Sequence, residues 1–263
     1  MASDAGEPAR AGGPGTYDDL AAAWRALRPR GVRVREVACV GAPRTLLCAE
    51  LGDHVSPTIA IAAGVHGDEP AGPWALLELV ERGGLDPAFT YRLWPCTNPT
   101  GFNAGGRNSV EGVDVNRTFG RGGQSPEARA IVTANRDRKF VLSLDLHEDA
   151  DACGFYCYEY GGGEIGRAVV AALDREGLAV DPLEETFDAA GPLRDEHCMR
   201  ERGRISADHR EEAALLGGLS YSLLMARNAA RHALTFETPR TFPWKTRLQM
   251  HRIATRAAIA VIS

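Results

Sequence analysis

In the segment GVHGDEPAG, His66 and Glu69 stand three residues apart, where an apolar run gives way to a glycine turn and then to a helix-forming stretch. An imidazole nitrogen and a carboxylate oxygen so placed can converge on one cation at about 2.0 to 2.2 Å. Catalytic zinc takes three protein ligands and keeps one position open, so a third ligand must come from elsewhere in the chain. His147 is the candidate, in LSLDLHED at the end of another apolar run. Strand ends of an α/β sheet share one edge where ligand crevices lie, so residues distant in sequence can meet there. One Zn2+ ion held by His66, Glu69 and His147 is the expectation. A lone histidine is more often a hydrogen-bonded surface or core imidazole. His54, His197, His209, His232 and His251 lack any such setting and are read that way. For His66 and His147 that reading must explain two histidines at two strand ends together with a matched glutamate, and it is the weaker account.

The elements that would position these ligands follow from hydrophobic spacing. PTIAIAAGV (57–65) is short, continuously apolar and partly β-branched, which suits a strand covered on both faces. A helix is expected from Pro70 to Arg82, and a second strand from Thr90 to Pro95. A Gly- and Asn-rich stretch runs from Asn98 to Gln124, and a helix is then opened by Ser125-Pro126-Glu127. Phe140–Leu146 reads as a third apolar strand and Gly154–Tyr160 as another, followed by a helix over Gly163–Glu176. A charged, irregular region is expected from about Pro182 to Glu212. Strand Ala233–Phe236 and a helix over Lys245–Ile262 close the chain. Upstream, Leu20, Ala23, Trp24 and Leu27 line one helix face, and Val32–Val40 with Thr45–Leu51 alternate like a hairpin around GAPR. The layout is α/β without internal repeat, with a central sheet flanked by helices.

At 263 residues the chain fits one α/β domain, expected over 17–263 behind a flexible leader of residues 1–16. Apolar residues make up 44% and charged residues 25%, which excludes wholesale disorder. The formal charge of -5 leaves no global positive field for a phosphate backbone or an anionic membrane, so neither nucleic acid nor membrane is an expected partner. The N-terminal segment carries acidic residues and no apolar core, and no apolar run approaches the roughly 18 residues of a membrane span, so a cytoplasmic location is expected. Six cysteines without a CxxC pair read as reduced thiols. Cys153 and Cys157 could share a strand face, but no metal or redox role is assigned to them.

The ordered set HGDE, NPTGF, GRN, DVNRTF, DLHE and FETP resembles the zinc carboxypeptidases of the carboxypeptidase A type, with their smaller bacterial relatives and the aspartoacylase and succinylglutamate desuccinylase branch. The resemblance spans roughly 57–160 and returns at 233–240. It implies a single α/β domain with a mixed, mostly parallel twisted sheet of about eight strands. It also implies that Glu237, in ALTFETP, is the general base that takes a proton from metal-activated water and passes it to the departing amine. A bland alternative pairs Glu237 with an arginine such as Arg240. The Arg matching Arg107 stabilises the oxyanion in the family, and Asn116 with Arg117 grips the substrate's terminal carboxylate. A planar guanidinium, which forms two parallel charge-assisted bonds to a carboxylate, suits both tasks. Asp114 and Phe119 would fix this loop, and Asp145 would orient His147.

The sequence departs from the family pattern in two places. Thr100 replaces the aspartate usual after Asn-Pro. The tyrosine that covers substrate from a mobile loop has no sure counterpart: Tyr221 is the best candidate, yet it could equally pack inside a helix over Leu219–Met225. A basic run, Arg194, Arg200, Arg202 and Arg204, would favour acidic substrates if it faced the site. The reading is a zinc metallocarboxypeptidase cutting an amide bond next to a free carboxylate in a small peptide, with fragments of cell-wall peptide as plausible substrates. The alternative keeps the chemistry and takes N-acylated amino acids, and a catalytically dead binding module would lack a ligand or the base. The oligomeric state is not legible.

Overall fold

The computed structural model describes residues 15–53, 55–120, 123–183, 198–207 and 218–263. His54, Arg194, His197 and His209 lie outside them, as does all but the end of the 1–16 leader. Nine strands form one mixed sheet. They are β1 (Arg33–Val37), β2 (Leu46–Leu51), β3 (Thr58–Ala63), β4 (Thr90–Trp94), β5 (Phe140–Asp149), β6 (Tyr156–Tyr160), β7 (Cys198–Glu201), β8 (Arg204–Ala207) and β9 (Ala230–Pro239), in the order β1-β2-β4-β3-β5-β9-β6-β8-β7. The middle four, β4-β3-β5-β9, run parallel, and β6 pairs antiparallel with β9. Parallel pairing is thus concentrated where both faces are covered, as expected for strands buried on two sides.

Helices α1 (Tyr17–Ala26), α2 (Ala71–Glu81), α5 (Ile165–Arg175) and α7 (Trp244–Ile262) pack one face of the sheet, and α4 (Pro126–Ala134) with α6 (Tyr221–Asn228) the other. Alternation along β5 decides what each face receives. Leu142, Leu144 and Leu146 are fully buried in the larger core beneath α2 and α7. Each such leucine contributes about 1.5–3 kcal/mol by leaving water. Ser143, Asp145 and His147 point to the opposite face and are also buried, so this strand carries polar groups on a covered surface.

Two stretches expected to be irregular hold regular structure. The Gly- and Asn-rich segment contains α3 (Pro99–Ala104), started by Asn98, whose side chain accepts from the Gly101 N–H, and a 3-10 turn over Val115–Arg117 capped by Asp114. The charged region contains the β7–β8 hairpin. Its arginines serve structure: Arg204 is buried against Glu159 at 2.6 Å and Arg202 pairs with Asp174 at 2.8 Å. Neither these two nor Arg200 lines the cavity described next, so among the described residues the basic run offers no substrate-facing patch. The short alternation of these strands was hidden by their charge.

Candidate active site

The loop that follows β3 is held against α3 at a distance only glycine allows. A Cβ on Gly67 would sit 1.9 Å from the Gly101 carbonyl carbon and 2.2 Å from the Phe102 nitrogen. His66 and Glu69 flank this contact, and Glu69 lies just ahead of α2. His147 comes from the end of β5. The three meet: His66 Nδ1 is 2.6 Å from Glu69 Oε1, and His147 Nδ1 is 2.9 Å from Glu69 Oε2. One donor atom from each residue lies within 4.8 Å of the others, and all three side chains are buried.

The outer imidazole nitrogens face carboxylates. His147 Nε2 lies 3.1 Å from Asp145 Oδ2, and His66 Nε2 lies 3.6 Å from Asp114 Oδ1. Neither outer nitrogen makes a formal hydrogen bond among the described residues, but a carboxylate this close behind each histidine favours the tautomer that leaves the inner Nδ1 free to face a cation, as around metal-ligating histidines generally. Two imidazoles and a carboxylate, converging and backed in this way, fit a zinc-type ion. Burial opposes ionisation of Glu69, but the two imidazoles outweigh it and hold the carboxyl well below its usual range. Burial also opposes a charge on His147, yet Asp145 and Glu69 raise it well above the ordinary histidine value. The pair is therefore charged, and a cation would replace the proton.

Strand register places the remaining predicted residues. His147 on β5 pairs with Glu237 on β9, which pairs with Tyr156 on β6, and the next row runs Asp145, Thr235, Tyr158. Burial raises Glu237 well above the carboxylate range, with His147 opposing and Glu69, Asp149 and Asp145 adding to the rise. A divalent charge at the triad would draw it back toward the ionised form. Arg240 does not pair with Glu237. It binds Asp68 at 2.7 Å instead.

The triad, Glu237, Tyr156, Thr235 and Tyr158 line one open cavity of about 380 Å³, together with Arg107, Asn116, Arg117, Tyr160 and Ser220. Arg107 sits beside the triad, its Nη1 3.3 Å from His66 Nδ1, and Asp114 holds its other nitrogen at 3.1 Å. The Asn116 side-chain oxygen accepts the Tyr221 N–H, which ties the loop to the start of α6. The approach at the other end of that loop is as close: a Cβ on Gly218 would lie 2.2 Å from the Arg117 carbonyl oxygen. Among the described residues Arg117 bonds only the Asn116 carbonyl, so within them its guanidinium has no carboxylate partner.

Tyr221 is a core residue, fully buried and edge-on to Phe119 with ring centres 5.6 Å apart, and it does not line the cavity. Thr100 serves loop structure, receiving the Val110 N–H. His251 is buried and bonded to Thr238, and His232 is half-buried away from the cavity. Cys39, Cys48, Cys96, Cys153 and Cys157 are free thiols, and Cys153 is the exposed one. The sequence reading passed over Tyr156, Tyr158 and Tyr160, although YCYEY directly after DLHED puts three tyrosines on one strand face by simple alternation. It also passed over Asp68, Asp149, Thr235 and Ser220.

Comparison with known proteins agrees with this geometry. Residues 55–162 match the succinylglutamate desuccinylase/aspartoacylase catalytic domain. The chain is 29% identical over 168 residues to carboxypeptidase SOL1 of Arabidopsis thaliana; the match takes in 53% of this chain and 34% of that protein, so the chain spans about a third of this relative's length. A crystal structure of a candidate metallopeptidase from Shewanella denitrificans superposes with a TM-score of 0.71 at 24% identity, covering 93% of this chain and 89% of the other. A metallo-carboxypeptidase from Burkholderia cenocepacia gives 0.66 at 20% identity, covering 94% and 69%. At these identities the structures establish the shared fold alone, and the matched domain supports a metallohydrolase.

Proposed function

We propose that this chain, a member of the zinc carboxypeptidase-like family, is a one-zinc metallocarboxypeptidase that removes a C-terminal residue from a small peptide. The observation that carries the reading is the meeting of His66, Glu69 and His147 in the cavity that also holds Glu237 and Arg117. A bound zinc ion supplies Lewis-acid polarisation and lowers the pKa of water. His66 Nδ1, one Glu69 oxygen and His147 Nδ1 would hold it, with Asp114 and Asp145 orienting the imidazoles. Glu237, beside His147 in register, takes a proton on its carboxylate and returns it to the leaving amine. The Arg107 guanidinium, beside His66, meets the negative charge that develops on the substrate oxygen. Arg117, positioned by the Asn116 loop, binds the substrate's terminal carboxylate through paired N–H donors.

The alternative, an N-acyl-amino-acid deacylase, is favoured by the matched desuccinylase/aspartoacylase segment, whose chemistry is shared. Purified, zinc-loaded protein offered both dipeptides and N-acetyl or N-succinyl amino acids separates the two: release of the C-terminal residue from dipeptides supports the peptidase, and hydrolysis of acyl amino acids alone overturns it in favour of the deacylase. The proposal extends to residues 17–263 acting as one catalytic unit and to a cytoplasmic location. Among the described residues no helix is long and apolar enough to cross a membrane.

A further inference from the structure

The cavity's acids are nearly all committed. Glu69 belongs to the triad, Asp68 is bound by Arg240, and Glu148 by Arg247 at 2.5 Å, while Glu237 is the base. Asp149 is the exception. It lines the cavity, half-buried, with both carboxylate oxygens held by neutral donors: Oδ2 by the Tyr156 hydroxyl at 2.8 Å and Oδ1 by the Asp151 N–H at 2.9 Å. No cation lies within ion-pair distance among the described residues. The side chain is fixed in place, and among these residues its negative charge has no counter-charge within ion-pair distance.

Its position relative to the triad is set by β5. Asp145, His147 and Asp149 share one face of the strand, and a span of four residues is about 13 Å. At the Asp145 end lies Ser222 of α6, whose first N–H, from Tyr221, holds Asn116 beside Arg117. Asp149 occupies the far end, past His147. An extended substrate whose carboxylate meets Arg117 and whose scissile carbonyl meets the triad therefore carries its preceding residue toward Asp149. The half of that span from His147 to Asp149, about 6.6 Å, is covered by two extended residues at about 3.3–3.6 Å each.

Resting on the peptidase reading above, we infer that Asp149, oriented by Tyr156, receives the free ammonium of the substrate, so that the protein acts on short peptides with an unblocked amino terminus. Arg117 and Asp149 then form two opposite charges on either side of the triad, matched to a zwitterion. An acetylated substrate has no positive charge to offer Asp149, and a succinylated one brings a carboxylate to it. A charge-assisted bond at a fixed, partly buried carboxylate is worth roughly ten- to hundredfold in binding.

The test compares one tripeptide with its N-acetylated form, by kcat/KM on zinc-loaded enzyme and by calorimetric Kd on metal-free protein. The wild type is expected to prefer the free amine at least about tenfold in both measurements. Asp149→Asn, whose oxygen still accepts the Asp151 N–H while its NH2 can donate to the Tyr156 hydroxyl oxygen, is expected to bring the ratio close to one. Tyr156→Phe, which frees the carboxylate to swing, should lower it in part. Equal handling of the two peptides by the wild type, or an unchanged ratio in Asp149→Asn, overturns the inference while leaving the peptidase reading intact. Should no peptide be cleaved while acyl amino acids are, the peptidase reading fails, and the Kd ratio still decides whether Asp149 binds an ammonium.

Discussion

Each ligand in the triad depends on the others for its charge, so their loss should be felt in the metal first. His66→Ala and His147→Ala are each expected to lower the zinc content of purified protein, read by elemental analysis; full stoichiometric zinc in both would move the site elsewhere. Glu237→Gln removes no ligand. It should retain zinc and lose at least about a hundredfold in kcat, the usual loss with a general base. Near-normal turnover would assign the proton to another group, with Asp149 a further carboxylate in the cavity. Gln can still accept a hydrogen bond but cannot hold the proton, so the comparison separates the chemical step from simple packing.

At the level of loops and strands, the site depends on how closely the β3–α2 turn can approach α3. Gly67→Ala sets a methyl group against the Gly101 backbone, which cannot yield as a side-chain tip would. We expect a loss of at least about 1–3 kcal/mol, the range for overpacking a well-packed interior, and weaker zinc retention, measured by thermal melting with and without chelator. A melting temperature and zinc content equal to wild type would mean that the turn can shift. His66, Glu69 and His147 were readable because ligand chemistry demands particular side chains, and apolar runs announced β3, β5 and β9. The β7–β8 hairpin was not readable, because Arg200 and Arg204 disguise its alternation and the Arg204 partners Glu159 and Glu201 are brought to it only by folding. Nor was the place of Tyr221, since a helix start and a substrate cover want the same amphipathic residue. Tyr156, Tyr158 and Tyr160 needed the register with β9, which pairing across the sheet creates and local sequence does not encode.

For the whole molecule, the covered reverse face of the sheet matters as much as the cavity. His251 on α7 is buried against Thr238, and burial pushes its pKa down to about 3, with His147 and Arg247 adding to the fall. The unfolded chain binds a proton there near pH 6.5 and the folded one does not, so stability falls as the pH drops from about 6.5 toward 3. His251→Gln keeps a polar partner for Thr238 but cannot be protonated. Its melting temperature should decline less steeply between pH 6.5 and 4 than that of the wild type, whatever its value at neutrality; parallel declines would show that other groups set the acid limit. Close by, Arg247 binds Glu148, Glu148 accepts the Ala71 N–H that begins α2, and the Glu148 N–H reaches back to Glu69. Anything that loosens the final helix therefore slackens the grip on the ion from behind. Melting and demetallation become one event, and the rate at which a chelator strips the protein reports how often that helix lifts away.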